Sequence, residues 1–136
     1  MSKSSDKFLR NLAVLQSPAF IKAVEGALFE AADMVKAEAQ QSITRGSVSG
    51  KGHRPSPAGD PPHNNTGVLK SHIETAISAP LEATVTAGAP YSAALEFGTS
   101  TIAARPFMRP ARDKVRGEAQ KLLTARVNRF IKTEMG

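Results

Sequence analysis

The chain carries a hydrophobic rhythm of helical period in two long runs and of strand period in one short run. Phe20, Ile21, Val24, Leu28, Ala31, Val35, Ala39 and Ile43 recur every three to four positions, which places them along one stripe of a helix. Ser17-Pro18 stands ahead of them as an N-cap followed by proline at the first helical position. A long helix is therefore predicted from Pro18 to about Thr44, and its alanines leave room for a neighbouring helix to approach closely. A shorter helix is predicted over 6–16, with Phe8, Leu9, Leu12 and Leu15 on one stripe. The second long run is Met108, Ala111, Val115, Ala119, Leu122, Leu123, Val127, Phe130 and Ile131. It marks a terminal helix that begins at Arg109-Pro110-Ala111, with Pro110 near its first position.

Between the helices the rhythm changes. Residues 45–66, RGSVSGKGHRPSPAGDPPHNNT, are dominated by glycine, proline and short polar side chains, the composition of a loop. A loop of this length in a small domain is functional or disordered, and here it is expected to be flexible or to order only on assembly. Ile73, Ile77 and Ala79 then share one face at period two, as do Ala83, Val85 and Ala87, with Pro80-Leu81 between the runs. That pattern predicts an antiparallel hairpin. Tyr91 to Phe97 fits one or two helical turns. The expected fold is a single α+β domain over 1–136, with the long helix and the C-terminal helix packed on a small antiparallel sheet.

Composition narrows the function classes. The 136 residues contain no cysteine, so no disulfide or thiolate site contributes and the chain suits a reducing compartment. The N-terminal residues are polar and no long apolar run follows, which predicts neither a signal peptide nor a membrane span. The net charge of +6 is uneven. Residues 73–99 carry three acids and no base, whereas residues 100–136 carry nine bases against three acids. Such polarity fits an anionic partner, nucleic acid or an acidic protein face; a well-solvated terminal helix fits it as well.

Catalytic chemistry finds little support. Gly46 to Gly52, GSVSGKG, is spaced wrongly for a phosphate-binding loop and has Gly52 where a magnesium-binding hydroxyl belongs. Its central Val48 also excludes a nucleophile elbow. His53, His63, His72 and Asp60 match no metal-ligand spacing. Glu96 is one carboxylate without a partner and defines no reaction class. No catalytic residue, metal or cofactor is expected.

The segment from Glu96 to Ala111, EFGTSTIAARPFMRPA, concentrates aromatics, prolines, glycine and arginines in a chain otherwise poor in aromatics. Phe97 and Phe107 flank Gly98-Thr99 and work as anchors. Gly98 permits a left-handed reversal, while Pro106 and Pro110 fix the backbone on the way into the helix. One reading is a rigid corner with both rings pinned to the core. The other is a docking edge with Arg105 and Arg109 exposed. Arg109 falls near a helix N-terminus, where a cation is disfavoured, so Glu96 or a neighbouring subunit's acid is expected to compensate it.

Thr66-Gly67-Val68-Leu69-Lys70-Ser71-His72-Ile73 reads as a lead-in to the first strand. Together with Tyr91, with Glu96 to Thr99 and with Ala104 to Ala111, it resembles the small neck, or tail-completion, proteins of long-tailed double-stranded-DNA bacteriophages. The likeness covers roughly residues 20–130. It departs at Val68-Leu69-Lys70, where a more arginine-rich stretch belongs. The resemblance implies a non-enzymatic virion protein at the head–tail connection, assembled in the bacterial cytoplasm. It further implies a homo-oligomeric ring, commonly six-fold, that contacts other neck and tail proteins and through which DNA passes. Tyr91, Phe97 and Phe107 are then expected at or near the subunit core. The interface set is Thr66, Gly67, Tyr91, Glu96, Phe97, Gly98, Thr99, Arg105, Pro106, Phe107, Arg109 and Pro110. Arg112, Lys114, Arg116, Lys121, Arg126 and Arg129 are candidates for DNA or acidic partners. A terminator ring capping the tail tube is a second reading. A free DNA-binding protein is a third, lacking both a recognition helix-turn-helix and an aromatic stacking platform.

Overall fold

A computed structural model describes residues 3–44, 55–62 and 67–135 of the chain. The elements run α1 (Lys3–Leu15), α2 (Pro18–Thr44), α3 (Val68–Ser71), β1 (Ile73–Ala79), β2 (Glu82–Ala87), α4 (Ser92–Phe97) and α5 (Met108–Met135). The predicted α+β architecture and both long helices are present. Within the predicted 45–66 loop, residues 55–62 form irregular structure; residues 45–54 and 63–66, with His53, His63 and Thr66, lie outside the described residues.

Ser17 separates α1 from α2, whose axes differ by 50°. Its hydroxyl accepts the N–H of Phe20 at 3.2 Å, as an N-cap should, and donates to the Val14 carbonyl at 2.6 Å. α2 is the centre of the domain. Ala27, Ala31, Ala39 and Ile43 are buried at spacings of four or eight residues, with the half-buried Val35 between them, and the small alanines let α5 lie close along the helix. The two helices run antiparallel, as three pairs along their length show. Phe20 meets Phe130 edge-on with centroids 5.3 Å apart, Glu30 pairs with Arg126, and Glu38 pairs with Lys114. The hairpin rests against α2 as well, and Thr75 Oγ1 donates to Asp33 Oδ1 at 3.1 Å.

The hairpin has the predicted strands and turn. Ile73 pairs with Ala87, Thr75 with Val85 and Ile77 with Ala83, and the register shifts between Ile77 and Ala79. Leu81 takes a left-handed φ of 57° in the turn. The face that carries Ile73 is buried at its base, yet Ile77 is 41% and Leu81 48% exposed. The tip therefore projects beyond the cover that α2 supplies.

The lead-in to the first strand is a correction. Gly67, at φ 82°, turns the chain so that Val68–Ser71 coils into a single helical turn rather than extending. Ser71 N–H donates to Gly67 O and His72 N–H to Val68 O. His72 Nδ1 also contacts Val68 O at 2.7 Å; a carbonyl only accepts, so this nitrogen carries the proton. Gln40 Nε2 reaches Lys70 O from α2. The turn drops Leu69 into the core alongside Ala39, Ile43, Ile73, Ala89, Phe107 and Ala111.

Candidate functional site

The corner between α4 and α5 is closed by Glu96. Its Oε1 accepts the N–H groups of Phe107 at 3.1 Å and Met108 at 2.8 Å, and its Oε2 accepts that of Arg109 at 3.3 Å. A helix leaves its first four N–H groups without an intrahelical partner. For α5 these belong to Phe107, Met108, Arg109 and Pro110, and proline has none. One carboxylate from another helix thus satisfies every orphan donor, and its charge complements the positive end of the helix dipole. It also supplies the compensation that Arg109 requires, through the backbone.

The crossing from Gly98 to Pro106 is fixed on both sides. Gly98 N–H donates to Ala94 O and Arg105 N–H to Leu95 O, tying the crossing to α4. Gly98 has φ 76°, and a Cβ there would lie 3.0 Å from both Ala104 N and Ile102 O, so the position accepts glycine alone. Thr99 Oγ1 accepts the N–H groups of Thr101 and Ile102. Toward the loop, Gly59 N–H donates to Ala104 O at 2.8 Å and Arg105 Nε to Ser56 O at 3.0 Å. Arg105 is consequently half-buried structural wiring, as a rigid corner requires, whereas Arg109 is exposed, as a docking edge would have it. Pro106 is half-buried and Pro110 occupies the exposed side of the first turn of α5.

The two rings separate. Phe107 is fully buried and anchors the corner, whereas Phe97 is 72% exposed and Tyr91 44% exposed. The expectation that all three enter the core is corrected, and helix geometry gives the reason. α4 turns Ser92 and Leu95 inward, and Phe97, two residues beyond Leu95, points about 200° away.

Phe97 borders an apolar groove of about 530 Å³. Leu28, Ala31, Ala32 and Val35 of α2 form its floor, and Ala83 and Val85 of β2 form one wall. Met108, Ala119 and Leu123 of α5 line the other, with Arg109, Arg112 and Arg116 along its edge and Glu96 within the lining. The basic candidates on α5 are only partly free. Lys114 bonds Glu38 at 2.9 Å, Arg126 holds Glu30 through both terminal nitrogens, and Arg112 bonds the neighbouring Asp113. Among the described residues Arg116, Lys121 and Arg129 form no ion pair. No group of three His, Asp or Glu among the described residues is placed to hold a metal ion. The sequence does not reveal the cap role of Glu96, the α2–α5 ion pairs or the groove, since each needs two distant segments brought together.

A family model, HK97-gp10-like, described as “Bacteriophage HK97-gp10, putative tail-component”, matches residues 6–98. The matched span runs from α1 through α4 and includes Glu96, Phe97 and Gly98, ending before the Ala104–Ala111 block. No curated protein and no solved structure matches the chain significantly.

Proposed function

The chain belongs to this HK97-gp10-like family of bacteriophage tail components, and from that premise we propose that it is a ring-forming protein of the head–tail connection. It acts there by shape and contact, without catalysis, as a neck or tail-completion piece built from several copies. The observation that carries this reading is Phe97. A large ring left 72% exposed beside an apolar groove marks a surface meant to be covered by another protein. The corner that presents it is rigid, because Glu96, Gly98 and Phe107 over-determine its geometry. Among the described residues the hairpin pairs with no third strand, so both of its edges are open to a neighbour. A contact between unlike surfaces of identical chains, repeated by rotation, closes into a ring. Six copies is the number the family resemblance favours.

The test is a reconstruction of intact particles together with particles made without this chain. The expected result is density for a ring of copies between head and tail, and unjoined heads and tails in its absence. Joined, infectious particles lacking the chain would refute the proposal, and density at the top of the tail tube alone would favour a terminator. Arg116, Lys121 and Arg129 give a secondary role some support, since unpaired cations on α5 suit non-specific contact with passing DNA. That role predicts DNA binding that weakens steeply with salt.

A further inference from the structure

We infer that the groove receives the tip of the β1–β2 hairpin from a second copy of this chain. The inference rests on the oligomeric reading above and names the contact that would build it. The groove sets the chemistry of its occupant. Its floor is apolar, and its α5 edge carries Arg109, Arg112 and Arg116 at helical spacing on one side of the helix. The one carboxylate in the lining, Glu96, is engaged by three backbone N–H groups, and Arg112 shares its charge with Asp113. The site therefore asks for an apolar wedge with negative flanks.

The hairpin tip has that character. Ile77 and Leu81 are exposed at the end of the sheet, with Glu82 exposed beside them, while the exposed Glu74 lies toward the base, paired with Thr86. Residues 73–99 contain no lysine or arginine. Another exposed apolar element is α1, whose Phe8, Leu9, Leu12 and Leu15 face water. It carries Lys3, Lys7 and Arg10 against Asp6, so in the groove it would set positive charge against the arginines, and like charges across an interface are strongly disfavoured. Charge selects the hairpin over α1. Ile77, Leu81 and Glu82 lie outside the lining, although Ala83, the cross-strand partner of Ile77, belongs to it, so the tip adjoins the groove of its own chain. Insertion would cover Phe97 and bring Glu82 toward Arg116, which like Arg109 forms no ion pair among the described residues.

Sedimentation velocity of the full chain across a concentration series tests this. Glu82→Lys and Arg116→Glu should each weaken self-association about tenfold or more, and the two combined should restore it. Ser78 Oγ donates to Glu82 Oε1, so Ser78→Ala removes that bond without changing charge and should associate as wild type. Leu81→Asn should weaken association while leaving the unfolding midpoint at or above wild type, because asparagine tolerates the left-handed φ of 57°. The inference is overturned if the single reversals associate normally, if the combination shows no rescue, or if wild type stays monomeric to about 1 mM. Loss of association in Phe8→Ser with normal behaviour of the tip variants would assign the groove to α1 instead. None of these outcomes decides the particle experiment, so failure of this contact and failure of the ring reading remain distinguishable.

Discussion

Replacing Glu96 by alanine tests the physical account of the corner most directly. The substitution removes the acceptor for the N–H groups of Phe107, Met108 and Arg109 at once. Loss of an ordinary N-cap costs about 0.5–2 kcal/mol. Phe107 is fully buried, so water cannot readily replace the lost partner, and an unsatisfied buried donor costs about 1–3 kcal/mol. Arg109 is exposed and its N–H rehydrates, which keeps the sum at about 2–4 kcal/mol. For a domain of this size that lowers the thermal midpoint by roughly 10 °C. Glu96→Gln retains an uncharged acceptor and should lose about half as much. Thermal unfolding followed by far-ultraviolet circular dichroism measures the shift, and hydrogen exchange should show the amides of Phe107 and Met108 opening faster. A change below about 0.5 kcal/mol, the ordinary range for a surface substitution, would refute the capping account.

Phe107→Ala should destabilise the chain by about 3–5 kcal/mol in denaturant unfolding, as truncation of a fully buried aromatic does. Phe97→Ser, by contrast, should leave the isolated chain within about 0.5 kcal/mol of wild type while reducing self-association and particle assembly. Gly98→Ala should cost about 1–3 kcal/mol, because it adds left-handed strain to two backbone contacts at 3.0 Å; thermal unfolding reads this. Arg126→Ala should cost under about 1 kcal/mol despite its two-point grip on Glu30, since both side chains are more than two-fifths exposed.

The long helices, the hairpin and the positive φ at Gly98 were legible because each is written in local pattern. Ser17-Pro18 announces the start of α2, and the alternation of Ile73, Ile77 and Ala79 announces β1. Other features depend on which distant segments meet. Nothing local to Glu96 says that its carboxylate will accept three backbone N–H groups at the start of α5, eleven residues on, so it read as a lone acid in catalysis and as one of two candidates to offset Arg109. Phe97 and Phe107 looked equivalent by residue type, yet the phase of a short helix sends one to water while the core takes the other. The helical turn at Val68–Ser71 escaped notice because it is too short for periodicity to register, and its cause is a single glycine dihedral. The basic face of α5 read as free charge until Glu30 and Glu38 of α2 were seen to claim part of it.

Glu96 belongs to the cap and to the lining of the groove at once, and this ties helix closure to contact. An occupant that excludes water from the groove lowers the dielectric around those three hydrogen bonds and strengthens them. By linkage, anything that prefers the closed corner also stabilises it. Joining a neighbour should therefore slow exchange of the Phe107 and Met108 amides beyond the protection that the cap already gives a solitary copy.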